Sequence, residues 1–225
     1  MKSQRRFSLP SLRLLLSLGA MIGASGNAFG SDTRLSGDAW VNAGSPGQNN
    51  GTGANLFVKG ASTSRSSLIS FDLSTLPGSI TSGTVARATL KLYVASVSAA
   101  GSFDVRRVTS SWAEGAVTYA TMPSLGATDV AGVAVSSGSA MNFMLVDVTA
   151  AVRAWIDSPA TNYGLALVAS SGSGINITLN SKENSGAAHE STLDVELTGP
   201  VGPQGVPGST GPAGPAGLQG PMGIM

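Results

Sequence analysis

Residues 85–97 read VARATLKLYVASV, and this stretch decides the fold class. Apolar side chains occupy every second position, with polar or amphipathic side chains between them. The apolar set is Ala88, Leu90, Leu92 and Val94, and the intervening set is Arg87, Thr89, Lys91 and Tyr93. Successive side chains of a β-strand point to opposite faces, so this period of two predicts a strand with one face in a core and the other in water.

Comparable segments recur along the chain, separated by turn-forming residues. Alternating strands are predicted at INITLNS (175–181) and TLDVELT (192–198), and more fully buried ones at SLISFDL (67–73) and YGLALVAS (163–170). Further strands are predicted at DAWV (38–41), NLFV (55–58), SFDVRRV (102–108) and MNFMLVDV (141–148). About nine or ten short strands without crossover helices are typical of an all-β fold, here an antiparallel jelly-roll-like β-sandwich.

One segment breaks the two-residue period. Thr149 is a plausible N-cap, and the residues after it place Val152, Trp155 and Ile156 on one face of a helix that ends before Pro159. We expect one short helix across an end of the sandwich. Its tryptophan is interpreted as a core residue, since large aromatic side chains are mostly buried.

The first 30 residues have the features of an export signal. A basic start precedes an apolar run over residues 14–22 and a segment of small residues, with cleavage expected near Ala28 or Gly30. A retained N-terminal anchor is the alternative. We expect a secreted protein, extracellular or on the cell surface, with no membrane span after signal removal.

Charge and cysteine content exclude several classes of function. The chain has 13 Lys+Arg against 12 Asp+Glu, and removing the signal takes away four of the basic residues, which leaves nine. The mature chain is therefore slightly acidic, and we expect no nucleic-acid partner. Cysteine is absent, so disulfides, thiolate metal sites and cysteine nucleophiles are excluded.

Residues 199–225 form nine uninterrupted Gly-X-Y triplets. Only glycine fits at the axis of three polyproline-II chains, so the repeat predicts a collagen-like tail that assembles a homotrimer. A disordered Gly/Pro linker is the alternative. Because the repeat stops in register, we expect a truncated collagen region.

Several strings between residues 35 and 198 resemble, in order, the bacterial and archaeal DNRLRE domain, which overlaps carbohydrate-binding module family 96. The landmarks are residues 71–77 (FDLSTLP), Trp112 with Glu114, Thr118 and Pro123, Asp147-Val148-Thr149 with Trp155, and Asn162-Tyr163-Gly164. The aromatic residue after WAEGAVT is Tyr119 in this chain. The resemblance implies a jelly-roll-like sandwich of an extracellular protein, with acidic polysaccharides such as alginate as a ligand class.

Catalysis has little support in the residue inventory. The only histidine is His189, in a polar loop, and no nucleophile elbow accompanies it. Two of the twelve acids could still meet as a carboxylate pair that cleaves glycans. We expect a non-catalytic protein that requires no cofactor.

The polar face of residues 85–97 holds the first candidate ligand-binding residues. Arg87 and Lys91 could pair with uronate carboxylates and Tyr93 could stack on a sugar ring, joined by Arg106 or Arg107 if the next strand follows by a hairpin. A solvated sheet face is the alternative. Two further cations, Lys59 and Arg65, flank a Gly/Ser/Thr loop and are similar candidates.

The segment NAGSPGQNNGTGAN (42–55) is rich in oxygen ligands and follows Asp38. Calcium takes six to eight oxygens, so Asp38, Asn42 and Asn55 are candidate calcium ligands. Asn-Gly clusters also form ordinary turns, which is the alternative.

Taken together, the sequence predicts an exported carbohydrate-binding module for an alginate-like acidic polysaccharide, displayed as a trimer by its tail. The alternative is a structural surface or matrix module that caps or nucleates a collagen-like stalk without binding sugar. A glycan-cleaving catalytic domain is the third hypothesis.

Overall fold

The alternating stretch around Leu90 forms the longest strand of the computed structural model, which describes residues 29–186 and 189–199. The strands are β1 (Phe29–Asn42), β2 (Asn55–Lys59), β3 (Arg65–Asp72), β4 (Val85–Ala99), β5 (Gly101–Val108), β6 (Leu125–Val135), β7 (Asn142–Asp147), β8 (Leu165–Ala169), β9 (Asn176–Asn180) and β10 (Thr192–Leu197), and the helix α1 spans Thr149–Asp157. The predicted export signal and collagen-like tail lie outside the described residues, apart from the few residues at their inner ends.

All strand pairings are antiparallel, and six strands close into a barrel. The order around it is β1, β10, β4, β9, β2, β3 and back to β1. Beyond the ring, β8, β5 and β6 extend the sheet from β3, and β7 pairs with β4. The predicted all-β antiparallel class with one short helix is confirmed.

The predicted jelly-roll-like sandwich is not confirmed, because two long strands each change partner and close the ring. β1 pairs with β10 up to Thr33 and with β3 from Arg34 onward. β4 pairs with β10 up to Lys91 and with β9 from Val94 onward. A strand that pairs with one neighbour along its first part and with another along its second part joins what would otherwise be two separate sheets.

Each predicted strand segment overlaps an observed strand, but one strand was missed and one expected pairing does not form. β6 was not predicted, since its Ala- and Gly-rich segment at the sheet edge is partly exposed on both faces and shows no clear alternation. The hairpin expected between β4 and β5 does not form. β5 pairs with β6 and β8, which places it away from the polar face of β4.

The core confirms the alternation in β4 from Leu90 onward, whereas Thr89, which the alternation placed on the polar face, is buried. Leu90, Leu92 and Val94 are fully buried in the main apolar cluster, together with Phe103 and Trp155. Trp155 is 1% exposed, so the prediction that it is a core residue is confirmed. A second cluster, around Leu68, Val108 and Val117, lies beneath the segment that carries Trp112.

The helix α1 occurs where predicted, with a different start. Val148 is the N-cap residue and Thr149 already belongs to the helix, so the predicted cap is wrong by one position. Asp147 explains the shift, because its Oδ1 accepts hydrogen bonds from the N–H (2.9 Å) and the hydroxyl (2.6 Å) of Thr149. Within the described residues, no helix has the length and apolar character needed to cross a membrane.

Candidate functional site

The outer face of β4 and β7, here called the β4 face, carries three of the predicted ligand-binding residues. Arg87, Lys91 and Tyr93 point away from the core, as the alternation predicted. The β7 register adds Leu145 opposite Lys91 and Phe143 opposite Tyr93. These two apolar side chains are 64% and 50% exposed.

Neighbouring groups already occupy much of the β4 face. Lys91 Nζ lies 3.6 Å from Asp194 Oδ2, and Arg87 is opposite Glu196 in the β4–β10 register. The imidazole of His189 lies against the Tyr93 ring with centroids 4.1 Å apart. The cations of this face are thus balanced by carboxylates, and its aromatic ring already has a stacking partner.

A cleft of about 530 Å³, here called the Lys59 cleft, opens where β2 and β8 end. Its walls come from the loops that follow those strands and from the segment between β5 and β6. The lining residues are Lys59, Gly60, Ala61, Ser64, Ser66, Tyr119, Met122, Leu125, Val168, Ala169, Ser170, Gly172, Ser173 and Gly174.

The chemistry of the Lys59 cleft is one cation among hydroxyls and apolar groups. Lys59 is the single charged residue of the lining, and its Nζ contacts Thr63 Oγ1 at 2.7 Å. Tyr119 is 38% exposed at the cleft. Gly60 permits the close approach of the two walls, because a Cβ at this position would overlap the carbonyl oxygen of Ser173.

A carboxylate cluster lies outside the lining of the Lys59 cleft. Asp38 on β1, Glu114 between β5 and β6, and Glu183 after β9 offer oxygens that all lie within 4.8 Å of one another. Lys182 lies among them: its Nζ donates to Glu183 Oε1 at 2.6 Å and contacts Glu114 Oε1, and it is 3.9 Å from Asp38 Oδ1.

Backbone groups orient the buried member of this cluster. Asp38 Oδ2 accepts the N–H of Lys182 at 2.9 Å, and the Asp38 N–H donates to Glu114 Oε1 at 3.0 Å. Burial, together with the nearby Glu183 carboxylate, raises the pKa of Asp38 to about 7 despite the hydrogen bond from the Lys182 backbone. Burial alone would raise the pKa of Glu183, but the hydrogen bonds from Lys182 and from the Ser181 hydroxyl lower it. Burial alone would lower the pKa of Lys182, but its hydrogen bonds to Glu114 and to Glu183 raise it.

The family model of carbohydrate-binding module family 96 matches residues 31–195, nearly the whole described part of the chain. The chain belongs to carbohydrate-binding module family 96. No curated protein matches the chain. The coarse prediction of a carbohydrate-binding module is therefore confirmed, and modules of this kind are typically non-catalytic.

Two further predicted ligand-binding residues, Arg106 and Arg107, make contacts with β6 within the sheet. Arg106 donates from Nε (3.0 Å) and from a terminal nitrogen (2.6 Å) to the Gly126 carbonyl oxygen on β6. Arg107 pairs with Asp129 at 3.0 Å. Neither lies beside Lys91, so the expected grouping of Arg106 or Arg107 with the β4 face is wrong, because β5 is not its neighbour.

Arg65 lies near Lys59 in the sheet but contributes differently. It is opposite Lys59 in the β2–β3 register, yet its guanidinium lies over the rings of Trp40 and Phe57, 5.0 Å from each centroid. This cation–π arrangement holds the side chain outside the lining of the Lys59 cleft.

Two of the predicted calcium ligands, Asp38 and Asn42, lie apart on β1. Asn42 Oδ1 accepts the N–H of Gly44 in a tight turn, and Asn55 is in β2 opposite Asn180. Asn42 is four residues further along β1 than Asp38, about 13 Å at the rise of a strand. Asp38 instead meets Glu114 and Glu183, which sequence reasoning missed since nothing local connects three positions so far apart.

Proposed function

We propose that the module binds an acidic polysaccharide in the Lys59 cleft. The observation that carries the proposal is the lining itself, which combines one ammonium group, several serine hydroxyls and a partly exposed tyrosine, with no carboxylate among its residues. A concave site with an apolar wall and a few polar groups is the usual form of a ligand site.

The composition of the cleft favours a uronate over a neutral sugar. A hydrogen bond between an ammonium and a carboxylate contributes about 1.5–3 kcal/mol, roughly twice a neutral one. Lys59 has no carboxylate partner in the cleft lining, so its charge is available to a ligand. The hydroxyls of Ser64 and Ser173 can donate to sugar oxygens, that of Ser170, which already donates to Asp104 Oδ1, can accept from a sugar hydroxyl, and the ring of Tyr119 offers a stacking surface.

The β4 face is the less favourable place for an acidic chain. Asp194 pairs with Lys91, and Asp147 and Glu196 carry further negative charge along the same strands. A uronate would have to compete with these carboxylates for each cation. The charge-balanced β4 face therefore offers less net attraction than the cleft.

Affinity electrophoresis of the full chain against alginate, polygalacturonate and a neutral glucan tests the proposal. We expect retardation by the acidic polymers that weakens as salt is added. Lys59→Gln should lower the affinity about tenfold or more, since it removes the charge-assisted bond. Tyr119→Ala should weaken binding further, and the matched control Lys91→Gln should leave it unchanged.

Three results would contradict the proposal in different ways. Loss of binding in Lys91→Gln with normal binding in Lys59→Gln would place the ligand on the β4 face. Retardation by the neutral glucan alone would exclude an acidic ligand. No retardation by any polymer would exclude glycan binding of the kinds tested.

Export and trimeric display are also part of the proposal, and both are supported by sequence alone. Residues 1–30 have the pattern of a signal, and residues 199–225 have the Gly-X-Y repeat. Trimerisation would present three clefts at once, which raises the effective concentration of the second and third sites for a long polymer.

A structural module is the second candidate function, favoured by one observation. Met141, Phe143 and Leu145 form an exposed apolar stripe on and beside β7. Such a stripe is typical of surfaces that pack against other proteins. Tail-dependent assembly without retardation by any glycan would support this alternative over polysaccharide binding.

A further inference from the structure

The carboxylate cluster carries more negative charge than the chain neutralises. Asp38, Glu114 and Glu183 offer three oxygens within 4.8 Å of one another, and the one cation among them is Lys182. Like charges at such distances repel strongly wherever water is excluded. When Asp38 is ionised, which its pKa of about 7 places at and above neutral pH, one ammonium group balances one of the three carboxylates.

An independent observation points to a missing ligand at this place. Asp38 is 1% exposed, and its Oδ1 accepts no hydrogen bond from any described residue. This oxygen faces the cluster, since the closest cation, Lys182 Nζ, is 3.9 Å away and beyond hydrogen-bond range. Leaving a buried carboxylate oxygen without a donor is costly, and a bound cation would satisfy it.

We propose that Asp38, Glu114 and Glu183 form a calcium site, which the ammonium of Lys182 occupies when calcium is absent. All the ligand atoms are oxygens and no histidine or cysteine takes part, which selects hard cations over zinc or copper. Three carboxylates, mono- or bidentate, with water fit the six to eight oxygens that calcium takes. Magnesium fits less well because it requires a near-ideal octahedron and keeps most of its water.

The space around Lys182 allows calcium to replace its ammonium group in the cluster. Lys182 and Glu183 line a wide cleft of about 860 Å³ that also carries Arg34, Asp72 and Glu190. The Lys182 side chain is partly exposed, so its ammonium can move from the cluster into this cleft while water enters to complete the coordination shell.

A cation here would join three segments that are far apart in the chain. Asp38 belongs to β1, Glu114 to the long connection between β5 and β6, and Glu183 to the loop after β9. A ligand that binds only the folded state raises the free energy of unfolding, and at concentrations well above Kd the increase grows with the logarithm of the ratio of ligand concentration to Kd. Calcium should therefore raise the thermal stability of the whole module. This inference is independent of polysaccharide binding, since the Lys59 cleft shares no residue with the cluster.

Calorimetric titration of the chelator-treated full chain with calcium chloride tests the site, with thermal unfolding as the second readout. We expect one calcium per chain, with a Kd of about 0.1–1 mM as in other extracellular modules, and a higher Tm in calcium than in magnesium. Lys182→Gln should bind calcium at least about threefold more tightly, because the competing cation is gone. Glu183→Gln should bind at least about tenfold more weakly, and the control Asp129→Asn should bind like the wild type.

Two results would overturn the proposal. Absence of heat and of a Tm shift up to about 10 mM calcium, in both the wild type and Lys182→Gln, would show a lysine-centred ion-pair network and no metal site. Weaker calcium binding by Lys182→Gln than by the wild type would contradict the exchange. If Glu183→Gln fails to fold, the comparison of calcium binding by the wild type and by Lys182→Gln still tests the proposed site.

Discussion

Asp147 shows how a single side chain sets a local boundary in this fold. Its carboxylate accepts both the N–H and the hydroxyl of Thr149, and the Thr149 Oγ1 accepts the N–H of Ala88 at 2.9 Å. The turn between β7 and α1 is thereby tied to β4. The hydroxyl of Thr149 therefore contacts a neighbouring strand, which is why it does not act as the helix N-cap.

The hydrogen bond from the Thr149 side chain, followed by that from its backbone, lowers the pKa of Asp147. A carboxyl group whose folded-state pKa is below its unfolded value adds stability that is present above the unfolded pKa and is lost as pH falls through the folded pKa. Asp147→Asn should cost about 1 kcal/mol at neutral pH and progressively less in acid. Denaturant unfolding of both proteins at several pH values measures this.

Asp157→Asn is the matched control, since it changes an exposed carboxylate at the other end of the same helix. Its free energy of unfolding should stay within about 0.5 kcal/mol of the wild type. An Asp147→Asn penalty that stays constant from neutral to acid pH would contradict the role given to the ionised carboxylate.

Gly164 is a position where the backbone excludes any side chain. Its φ is +88°, and a Cβ would overlap the carbonyl oxygen of Ile69. Gly164→Ala should cost about 2–4 kcal/mol, from the left-handed backbone and the collision together. Gly172→Ala is the control: it has φ +73° with open space around it, and should cost only about 1–2 kcal/mol. Equal losses in urea titrations would mean that the close approach of β3 to Gly164 does not matter.

At the scale of elements, β7 is an edge strand with an exposed apolar face. It pairs with β4 alone among the described strands, and its outer face carries Phe143 and Leu145. Exposed apolar edge strands are sites where other chains can pair. The inner face of the same strand carries Val146, which is buried in the main core.

Replacing both outer residues, Phe143→Thr with Leu145→Thr, should reduce self-association while leaving the free energy of unfolding within about 1 kcal/mol of the wild type. Light scattering against protein concentration measures the first effect, and denaturant unfolding the second. Val146→Thr is the control on the opposite face and should cost about 1–3 kcal/mol, since it buries a hydroxyl. Unchanged scattering by the double variant would show that the stripe is not a contact surface.

At the scale of the whole molecule, the closed ring of strands reduces the number of strands with an unpaired edge. Six strands leave no open edge within the ring, and the remaining strands extend from β3 and β4. The main core, which contains Leu92, Phe103, Trp155 and Ile177, draws on nearly every strand and on the helix. Contacts of such long sequence separation should make unfolding of the described module a single cooperative transition.

The collagen-like repeat leads to a prediction about assembly. Residues 199–225 contain no charged residue, so a triple helix formed by them would have no ion pairs to support its register. We expect the full chain to sediment as a trimer at high concentration and low temperature, and a chain ending at Thr198 to sediment as a smaller species. A monomeric profile of the full chain at high concentration would contradict the prediction.

The sequence alone predicted nine of the ten strands observed in the described residues, the position of the helix, and the buried face of β4. Alternation in β4 and the spacing of Val152 and Trp155 in α1 are local patterns, and local patterns report the environment of each side chain. The family landmarks were readable for the same reason, since each is a short local string and they follow one another in order along the chain. β6 was not predicted because an edge strand with small, half-exposed residues shows little alternation of apolar and polar positions.

Only the tertiary structure decided which segments meet. The closed ring, the separation of Arg106 from Lys91, the Lys59 cleft with Tyr119, and the cluster of Asp38, Glu114 and Glu183 all depend on contacts between distant positions. Strand pairing is governed by packing and loop closure over the whole chain, and one sequence carries no local record of it. Each functional residue type was visible in the sequence, but its neighbours were decided by the fold.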